Sequence, residues 1–259
     1  MSPATRLSLT RDFAALGIAP GDDVFVHAAL RAVGPVVGGA DAVLDALRDA
    51  VGDAGTVLGY CDWQFDEAAR DDPALRPFVP PFDPMRSRAI RDNGFWPELL
   101  RTTPGALRSA SPGASCAALG ARAAWYVADH ALDYGYGTAS PFAKLVEAGG
   151  KVLMLGAPLD TMTLLHHAEH LAHIPNKRVL RYEAPILVDG ATVWRWLEEF
   201  DTSRPVVEGL ADDYFAEIVT AYLASGEGRR GLVGDAAAVL VSARPMLDFA
   251  VDWLEGRFG

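Results

Sequence analysis

Short apolar runs alternate with amphipathic ones along this chain. DVFVHAAL (residues 23–30), behind the turn-forming APGD, and TVLGYCD (56–62), behind GDAG, are β-branched and apolar over strand-like lengths. Between them, ADAVLDALRDAV (40–51) sets its apolar residues at helical spacing, and KVLMLGAP (151–158) predicts another buried strand that stops at Gly156 and Pro158. Strands alternating with helices predict an α/β fold. No internal repeat or low-complexity linker divides the sequence, so residues 1–259 are expected to form one domain. The stretch from Trp63 to about Asn93, dense in proline and charge, shows no period, and a loop of that length is expected to border a ligand.

LLHHAEHLAHIPNKR (164–178) carries four of the six histidines and is expected to be a helix. Asp160 or Thr161 would cap its start, and Ile174-Pro175-Asn176 would end it, because proline disfavours helical geometry just before itself. At helical spacing His166, Glu169, His170 and His173 fall within about 100° of one another. Leu164, Leu165, Ala168, Leu171 and Ala172 take the opposite side, with His167 on the flank. Two chemistries fit that polar stripe. His166 to His170 spells H-x-x-E-H, which could hold zinc if a third ligand came from elsewhere. Alternatively, one histidine is a general base.

Composition narrows the partners. A formal charge of -11 repels nucleic acid and anionic membrane surfaces and favours a cationic ligand. No apolar run reaches a membrane span, and the first twenty residues carry charge where a signal peptide needs an apolar core, so a cytoplasmic location is expected. Cys61 and Cys116 are too few for a disulfide framework or an all-thiolate metal site, and packing is their expected role. A second chemical signal is VHAALRAVGPVVGGA (26–40): His27 sits at a strand end, followed by Arg31, Gly34, Gly38 and Gly39. This is neither a Walker loop nor a G-x-G-x-x-G fingerprint.

Taken in order, DVFVHAALRAVGPVVGGADAVLDALRDAVGDAGTVLGYCDW, PPFDP, RSASPGAS, ASPFAKLVEAGGKVLMLGAPLDTMTLLHHAEHLAHIPNKR and YEAPIL, spread over 23–187, resemble the aminoglycoside 3-N-acetyltransferases of the antibiotic N-acetyltransferase family. The resemblance implies a central mixed sheet flanked by helices, distinct from the common GNAT fold, whose [RQ]-x-x-G-x-[GA] loop is absent: the nearest match, Arg91 to Trp96, ends in tryptophan. It implies acetyl-CoA as cosubstrate and acetylation of the 3-amino group of the deoxystreptamine ring by direct attack from a ternary complex, conferring antibiotic resistance. A different amine acceptor on the same fold stays open, as does zinc hydrolysis, and a homodimer is allowed.

The family's T-x-L-H-x-A-E pattern falls on Thr163, Leu165, His166, Ala168 and Glu169, which makes His166 the implied base. Either Glu169 or an acid further along would orient its ring. The cofactor loop falls on His27, Ala28, Ala29, Leu30, Arg31, Ala32, Val33 and Gly34, with Arg108, Ser109 and Ser111 also toward the cofactor. Ser111 stands where the family usually has histidine. An aminoglycoside carries several ammonium groups, so its partners should be acids: Asp62, Asp66, Glu67, Glu198, Glu199 and Asp201, with Tyr60 and Trp63 packing on a sugar ring.

Overall fold

Alternate residues of the predicted strands feed two separate cores, which is why those segments are apolar on both faces rather than on one. The computed structural model describes residues 2–65 and 72–258. In β1 (Asp23–Ala28), Val24 and Val26 enter one core and Phe25 the other. Val57 and Leu58 divide in the same way in β2 (Thr56–Tyr60), as do Leu153 and Met154 in β5 (Lys151–Leu155). Beside these lie β3 (Leu107–Arg108), β4 (Cys116–Gly120), β8 (Arg229–Val233) and β9 (Ala236–Ser242). The seven strands run in the order β3-β4-β2-β1-β5-β9-β8. β1 pairs in parallel with both β2 and β5, while β4 and β9 run antiparallel to their inner neighbours, so the sheet is mixed, as expected.

Helices cover both faces. α1 (Arg6–Leu16), α2 (Gly39–Val51) and α3 (Trp96–Thr102) bury Leu9, Phe13, Leu44, Leu47 and Leu100 on one side. α4 (Ala123–Val127), α5 (Pro141–Glu147), α6 (Leu164–Leu171), α7 (Tyr214–Ala224) and α8 (Ala243–Phe258) bury Tyr126, Phe142, Leu164, Ile218 and Leu247 on the other. Each such fully buried Leu or Phe contributes roughly 1.5–3 kcal/mol over an exposed one. No helix among the described residues is long and apolar enough to cross a membrane.

Chain order places the site. After β1 the chain builds β2 on one side, and only later β5 on the other, so the segments leaving β1 and β5 diverge and open a crevice at their C-terminal ends. A separate hairpin, β6 (Val179–Val188) and β7 (Ala191–Phe200), turns at Asp189-Gly190, both at positive φ, and lies against the loop after β2 through Phe82 and Ile186. That loop is held in place: Trp63 bridges to Ala89, and Phe82 is fully buried with Trp63, Ala184 and Leu197. Asp66 and Glu67 lie outside the described residues.

Candidate active site

α6 is shorter than its sequence predicts. Residues Leu159–Thr161 form a 3-10 turn behind Pro158, Met162 leaves helical geometry, and the helix starts at Leu164 with Thr163, not Asp160 or Thr161, at the cap position. It stops at Leu171 because Ala172 is already extended. His173 therefore leaves the expected stripe, and its backbone N–H donates to Glu255. The remaining polar side faces the interior: Glu169 is 1% exposed, and His167, expected on the flank, is buried with Nδ1 2.7 Å from the carbonyl oxygen of Tyr136.

This burial decides which acid holds His166. Nδ1 of His166 lies 2.6 Å from Oε2 of Glu169, and the hydroxyl of Tyr214, from α7, donates to the other carboxylate oxygen. Tyr136 and Phe215 press on the imidazole with ring centroids 4.9 and 4.8 Å away. An ionised Glu169 accepts from Nδ1–H, which leaves the lone pair on Nε2. Neither Tyr214 nor Phe215 was expected here: Tyr214 stands 45 residues beyond the carboxylate it meets, and Phe215 follows it, with no local pattern to link them to α6.

His166 lines a cavity of about 340 Å³ at the crevice between the β1 and β5 ends. His27 is its neighbour, and its Nε2 accepts the backbone N–H of Thr163 at 3.3 Å. Burial, aided by the charge of His166, pushes His27 down to about 3, so the ring is neutral and able to accept. Ala28, Ala29 and Ala157 form small-residue walls, and Asp92, Asn93 and Gly94, at the end of the long loop, close the far side. Gly94 has φ +77°, and a Cβ there would point toward the carbonyl oxygen of Ala28, 4.0 Å off, so a side chain would narrow the slot. Asn93-Gly94 was a readable turn signal. A narrow, small-walled slot with an imidazole inside suits the thioester arm of acetyl-CoA.

The rest of the expected cofactor loop lies outside the slot. Leu30–Val33 is a 3-10 turn in which Val33 is buried, while Arg31 and Ala32 are exposed. Gly34 is needed for packing: with φ +82°, a Cβ there would fall 2.2 Å from a carboxylate oxygen of Asp235. Arg108, Ser109 and Ser111 line neither cavity. β3 pairs inside the sheet, and Arg108 gives its donors to Ser115 and to the carbonyls of Ser87 and Cys61. Ser109 accepts the N–H of Cys116 and lies 2.8 Å from His130. Ser111 is buried, with no hydrogen-bond partner for its hydroxyl among the described residues.

A second cavity, of about 200 Å³, holds Asp62, Trp63, Glu199 and Asp201 together with Tyr182 and Phe200. Glu199 and Asp201 line this cavity, whereas Glu198 does not and sits 3.6 Å from Arg181. Burial pushes the Asp62 carboxyl up to about 7, against the opposing hydrogen bonds of the Trp63 N–H and the Tyr60 hydroxyl and the charge of Arg108. Tyr60 and Tyr136, with hydroxyls 2.6 Å apart and both reaching the carbonyl of Gly113, stand between the two cavities. The result is a slot that holds the His166 imidazole beside an acid-lined pocket.

Neither zinc hydrolysis nor a route through a cysteine thiolate gains support. His166 is directed at Glu169 and His170 at Glu199, and among the described residues no three His, Cys, Asp or Glu side chains gather closely enough to share a metal ion. Cys61 and Cys116 are buried, and burial pushes both thiols up, Cys61 to about 11, so neither is a ready thiolate.

Known proteins are similar to this chain in sequence and fold. The family described as aminoglycoside 3-N-acetyltransferase matches residues 25–255. An aminoglycoside N(3)-acetyltransferase III of Pseudomonas aeruginosa is 50% identical over 99% of this chain and 96% of its own. An aminoglycoside N(3)-acetyltransferase VII of Streptomyces paromomycinus is 47% identical over 99% and 93%. Among solved structures, AAC-IIIb in a binary complex with CoASH superposes with a TM-score of 0.96 at 62% identity, covering 100% of this chain and 98% of its own. AAC-VIa bound to sisomicin gives 0.94 at 36% identity, covering 100% of each chain. The chain belongs to the aminoglycoside 3-N-acetyltransferase family.

Proposed function

We propose that this protein transfers the acetyl group of acetyl-CoA to the 3-amino group of the deoxystreptamine ring of aminoglycosides, by direct attack within a ternary complex in the cytoplasm, and so confers resistance. The observation that carries the reading is the His166–Glu169 pair, held at 2.6 Å inside a slot that lies next to an acid-lined pocket. Bound in the slot, acetyl-CoA supplies a thioester carbonyl open to attack. Nε2 of His166 takes a proton from the acceptor amine, and Glu169 stabilises the imidazolium through Nδ1–H. His166 then returns the proton to the departing sulfur. Thr163 presents its backbone N–H to His27 and fixes that neutral ring beside the base.

Asp62, Glu199 and Asp201 receive the other ammonium groups, and Trp63 and Tyr60 pack on the sugar rings. Ala28, Ala29 and the exposed Arg31 lie toward the cofactor. The whole of 1–259 acts as one acetyltransferase domain, with the 63–93 segment on the substrate side.

The test is thiol release from acetyl-CoA across a panel of aminoglycosides, one of them already acetylated at the 3-amino position. Release should require the free 3-amino group, and His166→Ala should lower kcat by about 10²–10⁴ while coenzyme A still binds. Normal turnover by His166→Ala would remove His166 from the mechanism. Coenzyme A binding without release on any drug would point to another amine as acceptor.

A further inference from the structure

α6 carries a second histidine–carboxylate pair, one turn beyond the first and facing the other cavity. Nε2 of His170 lies 2.8 Å from Oε1 of Glu199, with both side chains largely buried, 7% and 13% exposed. The ring N–H is off the line to that oxygen, and Nε2 has no other partner among the described residues, so Glu199 is the only group there that can satisfy it. Aromatic rings hold the imidazole from the sides: Phe200 edge-on at 4.6 Å, Tyr134 at 5.8 Å and Tyr136 at 6.2 Å. Lys177 closes the remaining side, donating to the carbonyl of His170 while its ammonium sits over the Phe200 ring.

Among the described residues, Glu199 is held at one oxygen, Oε1. The N–H of Phe200 also donates to Oε1, at 2.8 Å, and no described residue donates to Oε2. The carboxylate lines the acid pocket, whereas His170 does not. A surface glutamate would sample many rotamers and lose entropy on meeting a cation, while one anchored at Oε1 presents Oε2 in a fixed direction.

We propose that His170 is a positioning residue for the aminoglycoside: it anchors Glu199 at Oε1 so that Oε2 meets a substrate ammonium group, and it sets substrate affinity without touching the substrate. This rests on the reading of Glu199 as a substrate-side acid. His166 and His170 thus divide the work of one helix, the first on the reacting amine and the second on the pocket that orients the drug.

The experiment is steady-state kinetics on the full chain with an aminoglycoside and acetyl-CoA varied separately. His170→Phe keeps an aromatic ring against Phe200 and Tyr134 but removes the donor. It should raise the aminoglycoside KM about tenfold, the scale of a lost charge-assisted contact, with kcat and the acetyl-CoA KM near wild type. His170→Gln, which restores an N–H near the Nε2 position, should bring KM back toward wild type, a rescue that a purely packing role would not produce. Glu199→Gln should raise KM comparably, and adding His170→Phe to it should cost nothing more. An unchanged KM in His170→Phe beside a raised one in Glu199→Gln overturns the anchor. Additive effects in the double variant overturn it as well. An unchanged KM in Glu199→Gln removes the substrate-side reading of Glu199 and the inference with it.

Discussion

An imidazole serves as a base only if its proton sits on the far nitrogen and its ring cannot turn away. Here both conditions are met by groups outside the histidine. Glu169 takes Nδ1, Tyr214 donates to the second oxygen of Glu169, and Tyr136 and Phe215 fix the ring plane. Tyr214 is therefore two hydrogen bonds removed from the His166 imidazole. Tyr214→Phe keeps the ring packing and leaves a buried carboxylate oxygen without its donor, a loss on the order of 1.5–3 kcal/mol for a charged acceptor. The expected result is a kcat lower by about tenfold with KM for both substrates near wild type. If kcat is unchanged at wild-type thermal stability, the carboxylate does not need the tyrosine. His166 could be found in the sequence because the T-x-L-H-x-A-E pattern is local. The choice of Glu169 over a later acid could not, because it depends on a hydroxyl 45 residues away that fills the carboxylate's other side.

At the level of elements, periodicity made β1, β2, β5 and α2 legible, since each has a burial demand that repeats every two or every three to four residues. The ends of α6 were misread because Asp160 and Thr161, which look like caps, sit in a separate 3-10 turn. The burial of Arg108 and Ser109 was not legible for a different reason. A motif gives residue types but not which way a side chain faces, and both are buried at the β3 edge of the sheet. The loop after β1 shows the same ambiguity: Gly34 reads as a phosphate-approach glycine, whereas its missing side chain makes room for Asp235. Gly34→Ala should be costly on two counts. A left-handed φ of +82° strains any side chain by about 1–2 kcal/mol, and the Cβ would overlap the Asp235 carboxylate. A thermal scan should show Tm falling by roughly 5–10 °C for a domain of this size. Pairing the change with Asp235→Ala should restore the part due to overlap and leave the backbone part. Full recovery in the pair would mean that φ strain is absent.

Across the whole molecule, the buried histidines set the response to acid. Burial, the largest cause at each site, pushes His27 to about 3 and His130 and His167 to about 4, against an ordinary value of 6.5. Between pH 6.5 and about 4 the unfolded chain binds protons at these three positions that the folded chain refuses. Stability therefore rises with pH in this window, is fully present above it, and is lost as pH falls through it. Asp62 opposes them: burial lifts its carboxyl from 3.8 to about 7, so in the same window the folded chain holds a proton that the unfolded chain releases. Three protons taken up and one released leave a net uptake of two on unfolding from these four groups, so the histidines prevail and the protein should lose stability below neutrality. Denaturant midpoints measured across that range should fall steadily as the pH is lowered. His167→Asn can keep a donor to the carbonyl of Tyr136, which His167 Nδ1 meets at 2.7 Å, but cannot be charged. It should flatten the slope by about one proton, and Asp62→Asn should steepen it by the same amount. A His167→Asn protein as acid-sensitive as wild type would mean that His167 is not among the groups whose protonation drives unfolding.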